Sequence, residues 1–172
     1  VSGINDRVGV SDHVAIEIGR GAEIDDCLRV TGNVLVELRD EHGNLKERRE
    51  IHNLVVTRGK QHIADQLSSA PNDAAMGWMA IGTGSTSPAA GDTLLGAEID
   101  RNALTSRTDS GAVVTYVSDW AAGDGTNSAI AEAGIFGVVT ANTAPMLARA
   151  TFTAINKGAS DTLKITWTIT VS

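Results

Sequence analysis

The residues able to do chemistry are few, and their spacing decides what they can do. The four histidines are His13, His42, His52 and His62. No two stand at a spacing that would ligate a metal or set a base beside a nucleophile. His42 falls in a turn, His52 on a charged strand and His62 on the polar side of a helix, so surface positions are expected for them. Gly82-x-Gly84 follows a strand, as a dinucleotide loop does. Its third position is Ser87, however, Pro88 and Gly91 stand where a helix should begin, and no βαβ alternation surrounds it. It reads as a tight turn leaving a buried strand. Asp119, Asp124 and Asn127 around Gly123 and Gly125 offer oxygen ligands of the kind calcium takes. The spacing is not that of a calcium loop, and Asp-Gly pairs are ordinary turn chemistry, so a turn is the favoured reading. Cys27 stands beside Asp25 and Asp26, which should raise its pKa rather than activate it. Phosphate-loop, nucleophile-elbow and zinc-helix motifs are absent from the sequence. The expectation is a protein that is not an enzyme, with no catalytic residue, metal or cofactor.

Composition narrows the remaining classes. The chain has 172 residues, 42% of them hydrophobic and 20% charged, which suits one domain with a real core. Aromatic residues are only 3%, too few for a base-stacking surface. The formal net charge of −7 disfavours phosphate binding, and Lys46, Arg48 and Arg49 are offset by Glu47 and Glu50. No nucleic-acid partner is expected. No apolar run approaches the roughly 18 residues that span a bilayer, so no membrane partner is expected either. The opening VSGINDRVGVSDHV has neither the basic nor the apolar region of a signal peptide. A single cysteine cannot form an internal disulfide. A soluble protein made in a reducing compartment is the expectation.

The elements that must position these residues read mainly as strands. Asn33 to Arg39 alternates, with Val34, Val36 and Leu38 on one face, and a turn at residues 40–44 leads into a charged strand, Leu45 to Val56. Thr57 to Ser69 is the one clear helix, with Thr57 as N-cap and Lys60, Ile63, Ala64 and Leu67 along one stripe. A short helical turn is expected at Asp92 to Ala97. Met76 to Ile81 is a short buried strand, and Ile99 to Thr108 and Ala112 to Trp120 flank the turn Asp109-Ser110-Gly111. Ala129 to Val139 is apolar, and its Gly134 and Gly137 suggest a bulge or a close backbone approach. Met146 to Ile155 and Thr162 to Val171 complete the set. In the last strand Leu163, Ile165, Trp167, Ile169 and Val171 face one way, and Thr162, Lys164, Thr166, Thr168 and Thr170 the other.

About eight short strands at this spacing predict a mainly β fold: an antiparallel β-sandwich, jelly-roll or Ig-like, with one short helix. The expected core includes Val34, Val36, Ile81, Leu163, Ile165, Trp167 and Ile169. Residues 1–31 read as an extended N-terminal arm and 32–172 as the sandwich domain. The stretch from Val1 to Val30 holds six acidic residues against three Arg and too few apolar ones for a core of its own. It is either a loose terminus or an arm that orders on a neighbour. In the second case Val14, Ile16 and Ile18 alternate as an added strand would.

Several segments, in order, resemble small virion proteins of tailed bacteriophages. They are Asn53 to Lys60 leading into the helix that ends Asp65-Gln66-Leu67; Met79-Ala80-Ile81-Gly82-Thr83-Gly84 followed by Ser87-Pro88-Ala89 and Asp92-Thr93-Leu94-Leu95; Ile130-Ala131-Glu132-Ala133-Gly134-Ile135-Phe136; and Leu147-Ala148-Arg149-Ala150-Thr151-Phe152 before the terminal strand. The resemblance covers roughly Asn53 to Ser172. It implies a β-sandwich virion structural component, assembled in the host cytoplasm. One form is a capsid decoration protein, a homotrimer whose arm clasps neighbours on the outer head surface, with the major capsid protein or another virion protein as partner. The alternative is a tail- or fibre-associated protein that binds a host-surface carbohydrate. The short chain and acidic arm favour decoration.

Overall fold

The strict alternation of the terminal strand puts it at the centre of a sheet. The structure, a computed structural model, describes residues 28–68 and 70–172, so expectations for His13, Val14, Ile16, Ile18 and Cys27 lie outside the described residues. Strand β1 (Val30–Arg39) continues through a turn into β2 (Leu45–His52). The two-residue β3 (Leu54–Val55) precedes helix α1 (Thr57–Gln66). Then come β4 (Trp78–Gly82), β5 (Glu98–Ala103), β6 (Ser106–Ser110), β7 (Val113–Trp120), β8 (Asn127–Phe136), β9 (Met146–Lys157) and β10 (Thr162–Val171). They form two five-stranded sheets, ordered β2-β1-β10-β7-β6 and β3-β9-β8-β4-β5. Every pairing is antiparallel.

The sheets face each other across one core. Val34, Val36, Ile81, Leu163, Ile165, Trp167 and Ile169 all lie in it, with Met79, Ile130, Ile135 and Ile155. Opposed apolar faces of this kind stabilise by roughly 25 cal/mol per Å² removed from water.

Ten strands appear rather than eight because two runs change sheets. The run read as Leu45 to Val56 breaks at Asn53, where β2 ends in the first sheet and β3 enters the second. The run read as Ile99 to Thr108 breaks at Leu104-Thr105. The Leu104 amide donates to Gly77 of the second sheet's side (3.0 Å) and the next amide, Thr105, donates to Val117 of the first (2.7 Å). A strand that crosses between facing sheets keeps its apolar residues pointed at the same core, so its alternation hides the crossing. Val30 and Thr31, assigned above to the arm, pair with Val171 and Thr170 and belong to β1.

The helix is rotated from its expected stripe. Its buried residues are Gly59 and His62, whereas Leu67 is 80% exposed. Gly59 is the cause: a Cβ there would overlap the Leu147 carbonyl, so the helix backbone lies directly on β9 and turns that side inward. Thr57 is the first helical residue, not the cap. The cap position is Val56, which offers no side-chain bond, and the Thr57 amide donates instead to Ala90 (2.8 Å). Residues 92–97 form no helix.

Candidate functional site

The outer face of the second sheet carries charge where a sandwich ordinarily meets water. Register places Gly82 opposite Glu132, Glu132 opposite Thr151 and Gly134 opposite Arg149, all on the side away from the core. The Glu132 carboxylate is fully buried and accepts five hydrogen bonds. Oε1 takes the amides of Gly84 (2.9 Å) and Ala97 (2.7 Å). Oε2 takes the amide of Gly96 (2.9 Å) and both Nε and NH2 of Arg149 (2.9 and 2.7 Å). The remaining arm of Arg149 donates from NH1 to Asp92 Oδ2 (2.8 Å), which also accepts the Ala89 amide (2.9 Å).

Glycine makes this approach possible. A Cβ on Gly82 would stand 2.6 Å from Glu132 Oε1, and one on Gly84 would overlap the same atom. The Gly82-x-Gly84 turn is therefore a carboxylate cradle made by the chain for itself.

Burial alone would raise the pKa of Glu132. The amides of Gly96 and Ala97, the Arg149 guanidinium and the Gly84 amide outweigh that and hold it below the usual carboxylate value. Burial likewise works against charge on Arg149, and its bonds to Asp92 and Glu132 reverse the sign, so its pKa is raised. Both Glu132 oxygens are saturated by this chain's own donors. The cluster anchors the long connection from Thr83 to Ala97 onto the sheet.

A second pair repeats the device on the same face. Arg101 holds Glu98 by two parallel bonds of 2.8 Å, with both side chains nearly fully buried. Its NH1 donates to the Val138 carbonyl (2.9 Å), and its guanidinium stacks 3.7 Å from the Phe136 ring centre. Glu98 also accepts the Asn142 amide (3.0 Å). This pair fastens residues 138–142 over β5.

The other sequence candidates fall elsewhere. His62 is buried rather than on a polar surface, and its Nδ1 lies 3.4 Å from Asp73 Oδ2. Asp73 is held by Arg58 at 2.6 Å, which lowers its pKa. His42 and His52 are exposed. At the opposite end of the sandwich, Gly123 and Gly125 both have positive φ, as a turn requires. Lys157 is fully buried under that turn and donates to the Ala121 carbonyl (2.9 Å). Burial lowers its pKa, against the pull of Asp124, Asp161 and Asp100. Among the described residues no group of three or more His, Cys, Asp or Glu side chains is arranged to hold a metal.

Sequence reasoning missed the Glu132–Arg149–Asp92 cluster, although each member stands in a segment that carries the virion resemblance. The available signal was two isolated charges in apolar runs, Glu132 within residues 129–136 and Arg149 within residues 146–150. Comparison with protein-family models, with curated proteins and with solved structures finds no match for this chain.

Proposed function

We propose that this chain is a structural protein of a tailed-bacteriophage virion: a decoration protein seated on the outer head surface through its arm and its subunit contacts. Its partners in this reading are sister copies in a homotrimer and the major capsid protein, with no role for nucleic acid or membrane. The observation that carries it is the destination of the polar residues in the resembling segments. Gly82, Gly84, Asp92, Glu132 and Arg149 come from four separate stretches and meet in one buried clamp that fastens a loop to a sheet. A chain that spends its buried charges on fixing its own loops is built as a rigid part, and its work is done by surfaces.

The test is co-sedimentation of the purified protein with undecorated heads of the phage that carries it, followed by imaging of the particles. Saturable binding with density at symmetry-related positions on the head supports the reading. Failure to bind heads, together with binding to tails or to host-cell envelopes, would replace it with the tail or fibre alternative.

A further inference from the structure

Between α1 and the β6–β7 hairpin the sandwich opens into a cleft of about 400 Å³, a volume in the range of small-ligand sites. Register places Arg107 opposite Tyr116 and Asp109 opposite Val114, on the side of the first sheet that elsewhere faces the core. β6 is the last strand of that sheet and all five of its residues are exposed, so charges are tolerated there. Charges turned inward on an edge strand are an ordinary guard against strand pairing, which accounts for Arg107 and Asp109 taken alone. It does not account for the uncharged polar groups behind them. His62 and Tyr116 are only 5% and 9% exposed, and both line the cleft.

The hydrogen-bonding atoms left over in the cleft are of two kinds. The first are acceptors. His62 Nδ1 faces Asp73 Oδ2 at 3.4 Å, and neither atom has another partner. Asp73 is held as a carboxylate by Arg58 (2.6 Å), so the imidazole turns its proton toward it and keeps a lone pair on Nε2. Gln66 spends its amide nitrogen on the Asp73 carbonyl (2.9 Å), which leaves Oε1. Asp109 adds a carboxylate from β6. The second kind are donors. Burial pushes the Tyr116 phenol up in pKa, against the charge of Arg107, so the hydroxyl keeps its proton. Arg107 commits NH1 to the Met76 carbonyl (2.9 Å) and retains Nε and NH2. Among the described residues these remaining atoms have no partner, and Arg107 and Asp109 make no ion pair with each other. Met76 and Val114 give the cleft its apolar surface.

We propose that this cleft binds a free α-amino acid with an apolar side chain: its ammonium on Asp109, Gln66 Oε1 and His62 Nε2, its carboxylate on Arg107 and the Tyr116 hydroxyl, and its side chain against Met76 and Val114. An ammonium carries three N–H donors, and the cleft offers three acceptors. A carboxylate only accepts, and the cleft offers two donor groups. Each charge of the ligand meets one charge of opposite sign, so no unpaired charge is buried. A simple anion would meet Asp109, and a simple cation Arg107, with like sign. The binding does not depend on the virion role proposed above.

Calorimetric titration of the purified full-length chain with L-leucine is the test, with isocaproate (no ammonium) and isoamylamine (no carboxylate) as analogues. The expected result is saturable binding of one leucine per chain at concentrations up to about 10 mM, with both analogues at least about tenfold weaker. Asp109→Asn should weaken leucine about tenfold and strengthen isocaproate, since it removes an attraction from one and a repulsion from the other. Arg107→Gln should weaken leucine as much and strengthen isoamylamine. A merely structural role for either residue would weaken every ligand together. Failure of L-leucine, L-valine and L-methionine all to bind overturns the proposal. So does equal binding of leucine and either analogue, or leucine binding that survives both substitutions.

Discussion

The two sheets use their inner faces alike and their outer faces oppositely. The first sheet turns Lys164, Thr166, Thr168 and Thr170 outward, and these positions are exposed or half-buried. The second sheet turns Glu98, Arg101, Glu132 and Arg149 outward and buries every one of them or nearly so. One face is finished by water and the other by loops. The buried charges hold those loops down. The connection packs Leu94 and Leu95 against Ala80, Phe136 and Met146 on this face, and its backbone amides need acceptors besides. A carboxylate accepting three of its amides, neutralised by a guanidinium from the next strand, meets that need.

The largest expected effect on the outer face lies at Glu132. Glu132→Ala leaves Arg149 buried with only Asp92 and strips three amides of their acceptor, and should cost about 3–5 kcal/mol in denaturant unfolding. An effect below about 1 kcal/mol would mean that water replaces the carboxylate without loss. Trp167→Ala, on the inner face of the first sheet, should cost a similar amount, about 3–5 kcal/mol, through the cavity it leaves. The two should separate in kind: the core variant loosens both sheets, the clamp variant the loop.

Acid provides a gentler version of the first experiment. The pKa values of Glu132 and Asp92 are lowered in the folded protein. Their contribution is therefore fully present above the unfolded values, about 3.9 for Asp and 4.3 for Glu. It is lost as pH falls through the lower folded values. Stability measured between pH 7 and pH 2 should hold level to about pH 4 and then drop, and the drop should shrink in Glu132→Gln. At the smallest end, Lys164→Ala on the solvated face of the first sheet should shift stability by no more than about 0.5 kcal/mol. Removal of residues 1–27, which leaves β1 whole, should leave the melting temperature nearly unchanged.

The first sheet was legible because one of its faces is wet. Leu163, Ile165, Trp167 and Ile169 alternate with polar residues, and period 2 can be read directly from β10. The second sheet was not, because β4 and β8 are apolar on both faces and their few charges look like exposed ones in the sequence. Nothing local separates a buried Glu132 from a surface glutamate. What distinguishes it is Arg149 across the sheet and Gly84 and Gly96 in a distant loop, all of them long-range partners. His62 was misplaced for a related reason. The apolar stripe of α1 was read from side chains, whereas Gly59 sets the helix on β9 through the absence of one. The sheet changes at Asn53 and at Leu104-Thr105 leave the alternation intact and so carry no signal in it.

Native-state hydrogen exchange on Glu132→Gln tests most directly whether the outer face of the second sheet exists to anchor its covering loop. The substitution keeps the side chain's size and one carbonyl acceptor but removes the charge that Arg149 and three amides share. The account predicts faster exchange at Gly84, Gly96 and Ala97, with the amides of β1 and β10 at their wild-type rates. Uniform acceleration across both sheets, or none at those three amides, would contradict it.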